Sequence, residues 1–231
     1  MKNSISGKKE SNGKETSEKR AYRLIINAIK EKLKPGDFIL EKDLVVTFKM
    51  SRTPIAMALN RLVAEGVLNK MKKKGCHIPN LDRDDAKAAF FTRSLLESAA
   101  VKEATKLISD EDIERLQLIL SQGDKGISEN DYRLFSAKDE EFHHAMVSMS
   151  KNSYLYKLWR TIYIRTNIYS RFFDSIYYGS QAFIDVRSVK SKSLQQHHQI
   201  LKALIKRDPE ASEKQVQTHI ERSLNIILKF K

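Results

Sequence analysis

Between Glu41 and Gly66 the sequence writes two short helices with almost nothing between them. Leu44, Val45 and Phe48 give the first, over Glu41–Phe48, an apolar stripe, and a turn at Lys49-Met50 separates it from the next. There Ser51 or Thr53 can cap the first turn, and Pro54 fits within that turn because the N–H it lacks would have no partner. Leu59, Leu62 and Val63 then form the inward stripe up to Gly66. Two short helices joined by so tight a turn are a helix-turn-helix.

A helical stretch from Arg20 to Leu33 precedes the pair, with Leu24, Ile25, Ala28, Ile29 and Leu33 at helical spacing and Pro35-Gly36 stopping it. Phe38 to Leu40 reads as extended. After the pair, Val67 to Met71 and Cys76 to Ile78 flank Lys72-Lys73-Lys74-Gly75, a small β-hairpin with a basic tip that makes the unit a winged helix. Pro79 cannot continue a ladder, and the charge balance changes there: residues 1–80 hold 18 Lys and Arg against 8 Asp and Glu, residues 81–231 hold 24 against 21. A winged helix over 20–79, a linker over 80–83 and a second domain over 84–231 are expected. So basic a segment suits a polyanion, because neutralised phosphates release condensed counterions, although a solvated lysine-rich surface gives the same count.

Residues 1–19 are rich in Lys, Ser, Glu and Gly, and they contain no apolar run that would make a signal peptide or membrane anchor. They are expected to form a disordered basic arm that touches DNA phosphates or hangs as a plain tail. Cys76 is the only cysteine, which excludes an intrachain disulfide and a thiolate zinc cluster and fits a reducing, cytoplasmic setting.

Beyond residue 84 no strand pattern interrupts six helical stretches, roughly Asp84 to Leu107, Ser109 to Gln122, Asp131 to Ser150, Asn152 to Phe173, Ser188 to Lys206 and Pro209 to Phe230. Ser109-Asp110-Glu111-Asp112 and Asp208-Pro209-Glu210 are start signals, and Leu155, Leu158, Trp159, Ile162 and Tyr169 form one apolar face. The region from Asp174 to Arg187 gives the weakest pattern. With 41% hydrophobic and 31% charged residues and only 8 Gly and 4 Pro, the chain has a helix-rich composition. The expected fold class is mainly α: an N-terminal winged helix-turn-helix followed by an antiparallel all-helical bundle.

The runs Leu33-Lys34-Pro35-Gly36-Asp37, Glu41-Lys42-Asp43-Leu44 and Ser51-Arg52-Thr53-Pro54-Ile55-Ala56-Met57-Ala58-Leu59-Asn60-Arg61-Leu62, with Glu65-Gly66 and Gly75, resemble the winged helix of the GntR family over about 60 residues. The resemblance implies that Lys42, Arg52, Thr53, Lys73, Lys74 and Gly75 lie against double-stranded operator DNA, Arg52 pairing with guanine in the major groove and the basic wing reaching the neighbouring groove or backbone. Lys42 also suits a solvated helix charge, and Gly75 is needed first for its turn. Where the family usually carries Arg-Glu, this chain has Ala56-Met57. Base reading therefore shifts to Arg52, DNA shape and apolar contact with thymine methyls, and the operator cannot be copied from the family.

Arg93-Ser94-Leu95-Leu96-Glu97, Asp139-Glu140-Glu141-Phe142-His143 with Asn152, His197-x-x-Ile200-Leu201 and His219 resemble the effector domain of the FadR branch of that family. Asp139 and His143, four apart, share one helix face, and an antiparallel hairpin brings His197 and His219 inward together. One carboxylate and three imidazoles suit a divalent cation, Zn, Ni, Fe or Mn, with open positions for an acid ligand. Arg93 suits an effector carboxylate or a structural acidic partner equally. His144 and His198 should point off the shared face, and Tyr163, Arg165, Tyr169 and Arg171 line a pocket or belong to the core.

Together these imply a sequence-specific DNA-binding transcription regulator, a repressor in the family's commoner mode. It would be controlled by a small carboxylate-bearing metabolite at the metal site and act as a homodimer on paired half-sites, with no membrane partner. The residues alone leave two alternatives: a metalloenzyme in which Glu140 or Glu141 helps activate water, and a nonspecific DNA-packaging protein.

Overall fold

Thr16, in extended conformation, accepts a hydrogen bond from the backbone N–H of Lys19 and so starts α1 (Ser17–Glu31) three residues before the apolar periodicity begins. The computed structural model describes residues 15–72, 74–80, 82–179 and 186–229, the side chains of residues 30, 31 and 171–179 excepted. Most of the expected arm, Lys73, Leu81 of the expected linker, the Arg171 side chain and, in the region from Asp174 to Arg187, residues 180–185 and the side chains of 174–179 therefore lie outside the described residues. Two compact units divide the chain, residues 1–79 and 80–231.

In the first unit β1 (Phe38–Ile39) leads into α2 (Glu41–Phe48) and α3 (Arg52–Ala64), followed by β2 (Asn69–Met71) and β3 (Gly75–His77). Lys49 takes a left-handed conformation, φ 51°, which ends α2 and turns the chain sharply into α3. Ser51 occupies the cap position of α3 in extended conformation, but its side chain makes no cap hydrogen bond. Ile25 and Ile29 of α1, Leu44 of α2 and Ile55, Leu59 and Leu62 of α3 are all buried, with Val67, Leu68 and Ile78 closing the core. The first hairpin strand is shorter than expected because Val67 and Leu68 turn inward instead of joining the ladder, and the second keeps three residues but starts one earlier, at Gly75. The sheet has order β1-β3-β2, all antiparallel, with Ile39 opposite Cys76 and Met71 opposite Gly75. Gly75 opens β3 at φ 89°, and a Cβ there would stand 2.9 Å from the Ile39 carbonyl oxygen, so its lack of a side chain admits β1 as well as making the turn.

The second unit begins almost at once, because Asp82 caps α4 (Arg83–Leu107) by accepting from the N–H groups of Asp84 and Asp85. It continues with α5 (Asp110–Ser128), α6 (Tyr132–Ser148), α7 (Ser153–Gly179), α8 (Val186–Ile205) and α9 (Pro209–Leu228). Side-chain pairs give the directions. Arg83 at the start of α4 bonds Leu228 at the end of α9, and Lys102 further along α4 pairs with Glu213 near the start of α9, so these helices are antiparallel. Asp85 with Arg165 and Glu97 with Trp159 make α4 and α7 antiparallel in the same way. The core between the helices is built from residues such as Phe90, Leu116, Phe142, Met146, Ile200 and Val216. No described helix is long and apolar enough to cross a membrane.

Helix α5 runs past Gln122, the end expected from the sequence pattern, to Ser128. Gly123 and Gly126 are close-packing positions: a Cβ at Gly123 would meet Leu194 of α8 at 3.2 Å, and one at Gly126 would meet the Phe135 backbone nitrogen of α6 at 2.7 Å. Gly126→Ala is therefore expected to destabilise the chain by about 1–3 kcal/mol. Thermal unfolding of the full chain would show it as a midpoint lowered by roughly 2–4 °C for each kcal/mol.

Candidate functional site

Three histidines converge inside the helical unit. His143 comes from α6, His197 from α8 and His219 from α9; all are buried, and one nitrogen of each lies within 4.8 Å of the others. The turn of residues 206–208 folds α9 back on α8, and this brings the Nε2 atoms of His197 and His219 to 3.3 Å. Two nitrogens at about 2.0–2.1 Å from one tetrahedral cation stand roughly 3.3 Å apart, so this pair already has ligand spacing. The Nδ1 of His197 is buried with no hydrogen-bond partner. Burial, reinforced by the neighbouring imidazole of His143 for His197 and of His197 for His219, holds both rings well below the usual histidine range, in the neutral form that metal ligation requires.

Asp139 stands one turn before His143, as its spacing requires, and its Oδ1 is 3.7 Å from His197 Nε2. It sits at the mouth of the trio, partly exposed, where the histidines are enclosed. His144 and His198 point elsewhere: His144 meets the Tyr156 hydroxyl at 2.9 Å, and His198 faces Asp124.

Glu97 is the residue the sequence reading did not single out for the site. Fully buried on α4, it accepts hydrogen bonds from Arg93 Nε at 2.8 Å, from Trp159 Nε1 at 2.8 Å and from His143 Nδ1. Burial alone would raise its carboxyl, but Arg93 and His143 more than offset that and hold it well below the usual range. With Nδ1 engaged by the carboxylate, the other ring nitrogen of His143, Nε2, stands 3.3 Å from Arg93 Nη2 and is the one left for a ligating role, and a carboxylate behind an imidazole fixes its orientation. Gln196 does the same for His219, accepting from its Nδ1 at 3.2 Å. The one sequence signal for Glu97 was its position four residues after Arg93, which puts an acid and a base on the same face of α4.

Arg93 has the structural acidic partner, being ion-paired with Glu97, and it also lines a cavity of about 130 Å³ that reaches Asp139, His143 and His219. Lys190 and Arg222 bring two further cations to that cavity, and the hydroxyls of Ser136, Ser170, Ser193 and Ser223 add small polar groups. With three cations against the carboxylates of Asp139 and Glu140, this hydroxyl-lined space can take a small anion with several oxygens. Tyr163, Arg165 and Tyr169 do not line it. Tyr163 is core beneath the Arg93 guanidinium, Arg165 is paired with Asp85, and Tyr169 bonds Asp82 and Asp85.

In the first unit Lys42, Arg52, Thr53 and Lys74 are exposed, and Lys73 lies outside the described residues. The core face of α3 carries Ile55, Ala58, Leu59 and Leu62; Thr53 and Met57 lie on the opposite side, and Met57 is 55% exposed. Arg52 is tied at 2.8 Å to Glu41 of α2.

Residues 17–78 match the family of bacterial regulatory proteins named gntR, and residues 88–222 match the FCD domain. The chain is 31% identical over 205 residues to the Nta operon transcriptional regulator of Aminobacter aminovorans, covering 88% of this chain and 90% of that protein. It is 26% identical over 187 residues to the HTH-type transcriptional repressor RspR of Escherichia coli strain K12, covering 81% and 78%. Among solved structures, E. coli McbR/YncC superposes with a TM-score of 0.82 at 19% identity, over 94% of this chain and 99% of that one, and a GntR regulator from Rhodococcus sp. RHA1 with 0.73 at 20%, over 93% and 98%. These two share the fold.

The neutral imidazoles give the fold a pH dependence of definite sign. Histidines of the unfolded chain take up protons below pH about 6.5, whereas His197 and His219 stay neutral in the fold until the pH is much lower. Their contribution to stability is complete above that pH and is lost as the pH falls, by up to about 2.7 kcal/mol per pH unit for two protons. Urea unfolding with a chelator present, at pH 7, 6 and 5, should show this loss, and the double variant His197→Gln/His219→Gln should show a shallower one.

Proposed function

The chain belongs to the GntR family of bacterial transcription regulators and carries an FCD domain, and on that premise we propose that a small carboxylate-bearing metabolite, held beside a divalent cation in the helical unit, controls its grip on operator DNA. The observation that carries this reading is the convergence of His143, His197 and His219, buried and with one nitrogen of each within 4.8 Å of the others, beside a cavity that His143 and His219 line together with Arg93, Lys190 and Arg222. Family membership sets aside the metalloenzyme alternative.

His143, His197 and His219 would hold the cation with Asp139 as the carboxylate donor, a donor set suited to Zn, Ni, Fe or Mn. Such a cation supplies open coordination positions to an acid ligand. The chain's own groups do the rest: Glu97 and Gln196 orient two of the imidazoles, and the cations of the cavity wall neutralise the metabolite's charge. Ligand contacts on α4, α6, α8 and α9 bias how these helices pack, and α4 starts at the linker to the DNA-binding unit.

The protein acts as a cytoplasmic homodimer and represses, the mode named for the E. coli relative. Exposed apolar side chains support the dimer: Phe91 and Leu95 stand four apart on α4, and Tyr154 and Leu158 four apart on the adjoining α7. At the DNA, Lys42, Arg52, Thr53, Lys73, Lys74 and Gly75 form the contact surface.

Metal analysis of purified protein grown with added zinc, nickel, iron or manganese tests the site. About one ion per chain is expected in the wild type, with depletion in His143→Ala and His197→Ala; full occupancy in those variants, or none in the wild type, would remove the metal reading. On the DNA side, neutralising Lys72 and Lys74 should weaken binding to operator and random duplexes alike and reduce the slope of affinity against salt by about one for each phosphate that is no longer neutralised. Weakening confined to one sequence would contradict a phosphate role.

A further inference from the structure

Arg52 is the first residue of α3 and Glu41 the first residue of α2, and the two side chains meet across the helix-turn-helix, Arg52 Nε at 2.8 Å from Glu41 Oε1. The arginine side chain is 77% exposed and the glutamate side chain 35%. An exposed pair of this kind contributes little to folding, because solvent screens it and two long side chains must be held still. Moreover, a carboxylate on a surface that faces phosphates repels DNA. Stability and affinity both leave the contact unexplained, and its geometry supplies a third role.

We propose that Glu41 is a positioning residue for base reading: by gripping Arg52 at Nε, it fixes the plane of the guanidinium and presents the Nη1 and Nη2 edge to a guanine. The inference rests on the reading of Arg52 as a base contact. The carboxylate takes the flank of the guanidinium, and the outer edge keeps the parallel donors that match O6 and N7 of guanine in the major groove. An unbuttressed arginine side chain with four rotatable bonds reaches phosphates as readily as bases, and it sacrifices more freedom on settling at one base. Ala56 makes the device matter more here. This helix lacks the arginine the family usually carries at that position, so discrimination concentrates on Arg52.

Opposite signs distinguish this role from any other. Removing the charge of Glu41 takes away a repulsion, so binding to random duplex should rise about twofold, whereas discrimination at the base read by Arg52 should fall roughly tenfold, the worth of one well-made bidentate pair. A residue needed only for folding would lower both, and a residue that only repels DNA would raise both together.

The test uses the full chain with a duplex library randomised over the binding site, selected in parallel by the wild type, Glu41→Gln and Arg52→Ala, with thermal unfolding of each variant as the control for folding. The position relaxed by Arg52→Ala identifies the base that Arg52 reads. Glu41→Gln is expected to relax the same position, to bind random duplex at least as tightly as the wild type, and to have no further effect on the motif when combined with Arg52→Ala. Undiminished discrimination in Glu41→Gln while Arg52→Ala loses it would overturn the positioning role and leave the Arg52 contact standing. A motif unchanged by Arg52→Ala would remove that contact and the positioning role with it.

Discussion

The carboxylate of Glu97 is the interaction on which the helical unit depends. A charge taken wholly out of water is tolerable only when every lone pair is used, and here Arg93, Trp159 and His143 supply donors from α4, α7 and α6. Removing one partner of a buried pair of this kind typically costs about 3–5 kcal/mol, far more than any exposed ion pair on the surface of the unit. The same contact fixes the ring of His143, which packs against His197 and His219, so the group that pins the three helices together also orients an imidazole of the proposed metal site. Packing and binding therefore share one set of atoms, and a ligand that pulls on the imidazoles acts on the contact that spaces the helices.

The first unit works in the reverse way. Its core is a small apolar cluster among α1, α2, α3 and the hairpin, and the side chains proposed to contact DNA stand on the outside, where they gain nothing from burial. What places them is backbone: the left-handed Lys49 sets the turn between α2 and α3, and the missing side chain of Gly75 lets β3 approach β1. Arg52 and Glu41 meet because that turn brings the starts of two helices together.

Much of this was legible in the sequence because the signals were local. The Ser109 and Asp208 caps are chemistry within four residues and start α5 and α9 where the spacing put them, α3 starts beside Pro54, and the Lys-rich hairpin forms within a residue or two of its expected bounds. Asp139 and His143 share a face for the same reason, and His197 meets His219 because the turn between their helices is too short for any other path. What failed was non-local. The expected end of α5 at Gln122 fell short, since nothing near Gly123 and Gly126 in sequence reveals Leu194 and Phe135 pressing against that face. Glu97 meets partners 46 and 62 residues away, and the cations Lys190 and Arg222 reach the cavity from two different helices. A single sequence carries no record of such meetings.

The central claim is that the three buried imidazoles are ligands rather than a satisfied polar core, and X-ray absorption spectroscopy on the zinc-loaded full chain tests it most directly. Three imidazole rings and one oxygen donor at about 2.0–2.2 Å are expected, the rings identified by their multiple-scattering signature. A first shell of oxygens alone, with no imidazole scattering, would show that the metal binds elsewhere and that His143, His197 and His219 serve only the packing of the bundle.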